Sequence, residues 1–425
     1  MKKLTILFLS LLTSYGLFAQ GGSAPDALTY LQYEKYRFGG YGEFLYQHMD
    51  YHPDQNSTAN GAKYANRGSV DVPRAVFSFE YKFTPSLEFV TEVEFEHLGT
   101  GAALEMEYEE AGEYEKEIEK GGEVALEQVH ITKTFAPWFR VRAGHMIVPI
   151  GLTNQRHMPN QFFGTSRSES ETSILPCTWH ETGVAVLGAY RNWSYQLQVI
   201  SGLDANGFNR KEWIKGGKQG MQEVSIMTSP AYVARVESRH FKNLILGTSY
   251  YQGNSVKNTL KPEYFSESDK GTVRIFTADF TLDNNKFIVR GNYVYGDLTD
   301  AQKITKVNSQ LSSKSQYKRT PVASNAMAWN IEAGVNVLGF GKNRKEKLIP
   351  FVKYEQFDSM YKTDPGITKD ERCNRKKMTF GLNYYMTPTL GLKMDYSHRS
   401  YGDDNIRNQN TFGLAVVYSG WFLSK

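Results

Sequence analysis

The feature that most restricts the fold of this 425-residue chain is a period-two alternation of apolar and polar residues that recurs almost from end to end. Phe77, Phe79 and Tyr81 alternate with Ser78, Glu80 and Lys82, and Leu87, Phe89, Thr91, Val93 and Phe95 alternate with Glu88, Glu92 and Glu94. Successive side chains of a β-strand point to opposite faces, so the pattern marks strands with one apolar and one polar face. Sixteen are expected, at about 37–47, 72–82, 86–97, 124–134, 138–147, 182–190, 193–201, 230–239, 243–252, 272–282, 286–296, 327–338, 348–357, 376–386, 390–399 and 410–420. Tilted strands of about 9–11 residues cross the hydrocarbon layer of a bilayer, whereas strands of globular domains average about five or six.

The connections fall into two classes that take strict turns. Short ones include Phe83-Thr84-Pro85, Phe135-Ala136-Pro137, Arg191-Asn192 and Thr387-Pro388-Thr389; long ones span 48–71, 98–123, 148–181, 202–229, 253–271, 297–326, 358–375 and 400–409. An up-and-down barrel with both termini on one side requires this alternation, and closure removes the unpaired strand edges that a bilayer does not tolerate. The expected fold is all-β: a transmembrane antiparallel up-and-down β-barrel of about 16 strands, with short periplasmic turns and long external loops. A secreted β-sandwich has no reason to place long loops on alternate connections. Phe83, Phe135, Trp138, Trp193, Phe241, Phe287, Phe340 and Tyr385 gather beside the short turns, as a periplasmic aromatic girdle would.

Lys2 and Lys3 precede an apolar run from Leu4 to Leu12, the pattern of a signal peptide over 1–19 cleaved after Ala19. A periplasmic segment is expected at 20–36 and the barrel over 37–422, in the outer membrane of a Gram-negative-type bacterium. No later apolar run approaches the roughly 18 residues of a membrane helix. The formal charge of +4 falls by two when Lys2 and Lys3 leave, so nucleic acid is not an expected partner. Cys177 and Cys373 both fall in external loops, which leaves a disulfide between them open.

The polar strand faces carry Arg37, Arg74, Arg140, Arg142, Arg235, Arg290, Lys353, Lys377, Lys393 and Arg399, against Glu43, Glu80, Glu88, Glu92, Glu94, Glu96, Glu237, Asp279, Glu332, Glu355 and Asp395. An unpaired ion in a dry core costs several kcal/mol, so this face is expected to line a water-filled pore. Glu43, Glu80, Glu88, Glu92, Glu94 and Glu96 crowd onto the first three strands, as an acidic arc facing a more basic wall. For each residue the alternative is cross-strand pairing with no effect on selectivity. Arg140 and Arg142, planar donors on one face of the strand that leads to the third long loop, are the best anion-binding candidates. That loop, 148–181, is the longest; it is expected to fold inward, with Arg156, His157 and Arg167 at the constriction. The acidic run from Glu105 to Glu123 is expected as a solvated external loop; bridging to lipopolysaccharide by divalent cations and repulsion of anions are the functional alternatives.

The segment Val141-Arg142-Ala143-Gly144-His145-Met146-Ile147-Val148-Pro149-Ile150-Gly151-Leu152 resembles the phosphate-selective porin O and P family, in which a strand with Arg and Gly runs into a Pro-x-Gly-Leu entry to the constriction loop. The Phe135-Ala136-Pro137-Trp138-Phe139 turn, the Arg74 strand before Phe83-Thr84-Pro85, and Tyr418-Ser419-Gly420-Trp421-Phe422 are similar too. The resemblance implies a homotrimeric channel for anions with an arginine ladder, for which Arg140 and Arg142 are the matching positions, and phosphate at the constriction. Ten bases against eleven acids on the polar strand faces depart from the family's strongly basic lining. The expected function is therefore passive diffusion of small hydrophilic solutes, including anions such as phosphate, within outer-membrane lipid and lipopolysaccharide, with no cofactor or metal. A structural or adhesive barrel without an open channel is the alternative. No enzyme is expected, since the nearest constellation, His398-Arg399-Ser400, lacks a third group.

Overall fold

The computed structural model describes residues 35–51, 65–97, 103–106, 116–119, 124–220, 224–311, 318–341 and 344–425. The signal peptide expected at 1–19, nearly all of the segment 20–36 and most of the acidic run lie outside the described residues.

Sixteen strands form the wall: β1 (Tyr36–Tyr51), β2 (Ala65–Asp71 and Arg74–Thr84), β3 (Leu87–Glu96), β4 (Val124–Ala136), β5 (Phe139–Ile147), β6 (His180–Tyr190), β7 (Trp193–Ile200) and β8 (Ala231–Ser238). They continue as β9 (Leu244–Asn254), β10 (Thr272–Asp283), β11 (Phe287–Leu298), β12 (Asn325–Val335), β13 (Lys347–Lys362), β14 (Asn374–Thr387), β15 (Leu390–Tyr401) and β16 (Gln409–Ser424). Each strand pairs antiparallel with the next, and β1 pairs with β16 from Arg37 opposite Ser424 to Met49 opposite Thr411, which closes the barrel. The ends meet on one rim, where the Tyr36 amide donates to the Lys425 carbonyl (3.0 Å) and the Lys425 amide to the Tyr36 carbonyl (2.9 Å). β2 breaks at Val72-Pro73, since proline has no N–H to donate to a ladder.

Hydrogen-bonded pairing runs further than the alternation does. β1 and β2 reach Tyr51 and Ala65, well into the expected loop 48–71, and β13 reaches Lys362. Ladders need backbone partners, not an apolar face, so they extend past the lipid-facing band. The second long connection also carries a small hairpin, Ala103–Met106 paired with Lys116–Glu119.

Phe44, Phe77, Ile131, Val184, Tyr232, Phe276, Phe380 and Tyr396 are exposed on the outside of the wall, an apolar band fit for lipid. Phe83, Phe135, Trp138, Trp193, Phe241, Phe287 and Phe340 are exposed beside the short turns, as expected of a girdle. Tyr385 is not. It is 8% exposed and packs inside with Phe163 and Phe351, whereas Tyr384 faces out at 36%. Tyr385 continues the inward row of Thr379 and Asn383, so strict alternation turns it away from lipid although it sits beside a short turn.

The external half of the interior is filled rather than empty. Connections 148–179 and 201–230 and helix α1 (Ala301–Asn308) bring Ile174, Trp179, Phe208, Trp213 and Ile304 against inward residues of β7 to β13, such as Tyr251, Val294 and Phe357. Cys177 and Cys373 are both free thiols, so no disulfide joins them.

Candidate functional site

The third long connection leaves β5 through Val148-Pro149-Ile150-Gly151. Gly151 has φ +76°, a left-handed conformation that suits glycine. The turn aims the amides of Leu152, Thr153 and Asn154 at the Glu171 carboxylate, to which they donate at 3.0, 3.0 and 2.9 Å. Asn154 donates from its side chain to the Val148 carbonyl (2.7 Å) and accepts from the Trp179 amide (2.6 Å), so the start and end of the segment are clasped.

Between these ends the segment reaches strands across the barrel. Lys393 Nζ donates to the carbonyls of Phe162 (2.6 Å) and Gly164 (3.0 Å), Asn383 to that of Phe163 (3.0 Å), and the Thr165 amide donates to Asp395 (2.6 Å). The Ser170 amide donates to Glu355 (3.1 Å), and Glu169 accepts from Lys377 (2.5 Å) and from Arg399. Phe163 lies under the Arg290 guanidinium (4.6 Å to the ring centroid) and stacks on Phe351 (5.1 Å between centroids). Segment 148–179 thus leaves from β5 and is tied to β13, β14 and β15.

Burial pushes the Glu171 carboxyl up to about 7, against its three amide donors, which act to lower it. Burial acts the same way on Glu169, but Arg399 and Lys377 outweigh it and hold that carboxyl well below the usual range.

The charged residues read from the strand faces all lie on the inner side, and most are engaged with one another. Arg37 grips Glu80 with two bonds (2.7 and 2.9 Å). Arg235 binds both Asp279 (2.8 Å) and Glu237 (2.8 Å), Arg290 binds Glu332 (2.5 Å), and Lys353 binds Glu355 (3.0 Å). Within the acidic arc Arg74 binds Glu94 and donates to Glu127 (3.1 Å), and Glu92 accepts from Ser78 (3.0 Å) and Gln128 (2.6 Å). Glu43 and Glu88 are buried in the same wall and Glu96 stands opposite Arg74. Cations therefore sit inside the arc, which moderates the field expected of it.

Arg142 on β5 and Arg156 and Arg167 on the inward segment stand outside these pairs. Among the described residues Arg142, Arg156 and Arg167 have no carboxylate at ion-pair distance. Arg142 donates Nε to Thr132 (3.1 Å), Arg167 donates to Thr178 (3.0 Å), and no side-chain bond holds Arg156. Arg140 and Arg142 lie near the short-turn end of β5, opposite Thr134 and Thr132, about 20–26 Å along the strand from the start of the loop at a rise of about 3.3 Å per residue. The structure does not gather Arg140, Arg142, Arg156 and Arg167 at one point. His398 and Arg399 face opposite ways, His398 bonding Asn410 (2.8 Å) and Arg399 bonding Glu169, so they do not converge as a catalytic pair.

Tyr41 and Glu127 were not singled out by the alternation, yet both are fully buried beside His157 and Arg74. Glu127 falls at a register shift: Glu92 stands opposite Gln128 and Val93 opposite Leu126, which leaves Glu127 over as a bulge residue turned inward.

Comparison with known proteins agrees with this architecture. Residues 46–416 match the family described as phosphate-selective porin O and P. An uncharacterised protein of Aquifex aeolicus (strain VF5) is 27% identical over 401 residues, covering 93% of this chain and 83% of that protein. Two solved structures share the fold. The anion-selective porin from Comamonas acidovorans has a TM-score of 0.51 at 8% identity, covering 91% of this chain and 99% of its own. OprB of Pseudomonas putida has a TM-score of 0.52 at 12% identity, covering 91% and 94%.

Proposed function

We infer the solute preference of this channel from one premise: the chain belongs to the phosphate-selective porin O and P family. It is an outer-membrane porin, a channel for small solutes. Family and fold mark a channel rather than an enzyme, and we ascribe no catalysis to it.

The reading is passive diffusion of small hydrophilic solutes with a modest preference for anions, phosphate among them. The observation that carries it is that Arg142 on the wall and Arg156 and Arg167 on the inward segment have no carboxylate at ion-pair distance among the described residues. Arg142, Arg156 and Arg167 keep guanidinium edges free of carboxylates, while Glu80, Glu94, Glu169, Glu237, Asp279, Glu332 and Glu355 each meet a cation. A bidentate salt bridge presents little net field to a passing ion, whereas an unpaired guanidinium is a planar donor suited to an oxyanion. Arg156 and Arg167 belong to the segment tied across the interior, and Arg142 to the wall, so an anion would meet them in succession. Arg37, Arg74, Arg235, Arg290, Lys353, Lys393 and Arg399 are assigned to holding wall and loop together. His157 is assigned to the contact between loop and wall.

Lipid against the apolar band, lipopolysaccharide around the external loops and a homotrimeric assembly belong to the same reading. The signal peptide over 1–19 supplies the export route. A potassium chloride gradient across a planar bilayer tests the preference. A reversal potential of the chloride-preferring sign supports it, and the potassium-preferring sign contradicts it.

A further inference from the structure

Where segment 148–179 lies against β3 and β4, Glu92, Glu127 and His157 each turn one ligand atom toward a common point, all within 4.8 Å of one another and all buried. His157 is a fully buried imidazole. Its Nδ1 donates to the Asn154 carbonyl at 3.0 Å, which leaves Nε2 as the ring's lone-pair acceptor. That Nε2 has no hydrogen-bond partner and stands 3.7 Å from Glu127 Oε1. An orphaned buried acceptor pointed at a carboxylate is unfavourable for both, unless a cation lies between them. A carbonyl on the far nitrogen is the arrangement that fixes the tautomer and orientation of metal-binding histidines.

The surrounding charges point the same way. Glu92, Glu94 and Glu127 converge here, and among the described residues Arg74 is the one cation that binds Glu94 and Glu127. With His157 neutral and the carboxyls ionised, the cluster is two negative charges out of balance. Tyr41 donates to Glu127 Oε2 (2.7 Å), and Ser78 and Gln128 donate to the two oxygens of Glu92, so the carboxylates are already oriented while lone pairs remain.

We propose that Glu92, Glu127 and His157 form a divalent-cation site that pins segment 148–179 to the β3–β4 wall. One imidazole and two carboxylates suit a borderline first-row ion such as Zn2+ or Mn2+ better than Ca2+, which takes oxygen ligands throughout. Bonds of about 2.1 Å allow ligand separations up to about 4.2 Å, and the 3.7 Å between His157 Nε2 and Glu127 Oε1 falls inside that span. The bound charge also offsets the carboxylates beside the pore. The site does not depend on whether the channel prefers anions, because metal binding is read separately from conduction.

The test is zinc binding by the full-length porin, folded in detergent and stripped with chelator, followed by calorimetry and metal analysis after dialysis. The expected result is one Zn2+ per chain, with affinity lowered about tenfold or more in both His157→Ala and Glu92→Gln. Gel mobility of the unheated protein verifies that each variant is a folded barrel. Co2+ loaded into the unmutated protein provides a second readout, with visible bands of a nitrogen-ligated ion that Zn2+ abolishes. Equal zinc binding by folded wild type and variants, or Co2+ bands of the aquo ion alone, overturns the proposal.

Discussion

The carboxylate of Glu171 occupies the space that a β-carbon on Gly151 would need, with Cδ 2.5 Å from that position. The same carboxylate collects the next three backbone amides, so one glycine and one acid set how the constriction segment leaves the wall. Gly151→Ala is predicted to add about 1–2 kcal/mol of left-handed backbone strain to the steric conflict. The expected outcome is a folded barrel with a loosened segment, seen as faster proteolysis within 148–179 and noisier open-channel current. Wild-type proteolysis and noise in the variant would count against this role.

Glu171 also predicts a pH response. Its folded value is about 7 and its ordinary value 4.5, so the folded segment holds the proton more tightly and its stability falls as pH rises through that window. Glu169 acts oppositely. Its lowered value adds stability that is present above 4.5 and lost as pH falls toward the folded value. Current noise should therefore grow between pH 5 and pH 7 in the wild type, and Glu171→Gln should flatten that slope. An unchanged slope in the variant would assign the response to another group.

Arg142→Gln is predicted to lower the chloride-to-potassium permeability ratio by about twofold without affecting barrel stability, because its guanidinium has no carboxylate to leave behind. Reversal potentials and urea unfolding measured on one preparation separate the two effects. A stability loss with an unchanged ratio would make Arg142 structural.

Arg235 should behave in the opposite way. It sits between Asp279 and Glu237 with 4% of its side chain exposed, and Arg235→Met would leave two buried acids without their cation. The expected cost is about 3–5 kcal/mol in urea unfolding, recovered in large part when Glu237→Gln and Asp279→Asn are added. Failure of the added changes to recover stability would show that the ion pairs are not the cause.

The wall of the barrel was legible in the sequence because lipid outside and water or polar contacts inside force a strict period of two. The inward residues from Arg37 to Arg399 follow from that period alone. It fails at Glu127, which a register shift turns inward beside Gln128, whereas Tyr385 lies inside as the period requires and only its place beside a short turn suggests the girdle. Pairing itself was hidden as well. Alternation places Arg74 on a face but cannot show that it joins Glu94 and Glu127, and no local pattern joins Glu171 to amides 17 to 19 residues earlier.

Single-channel recording in planar bilayers, with phosphate titrated against a chloride current, tests the central claim most directly. The account predicts conductance steps grouped in threes, a chloride-preferring open state and reduction of the chloride current by phosphate that weakens in Arg142→Gln. A correctly folded barrel that conducts nothing, or conducts with potassium preference and no response to phosphate, would contradict it.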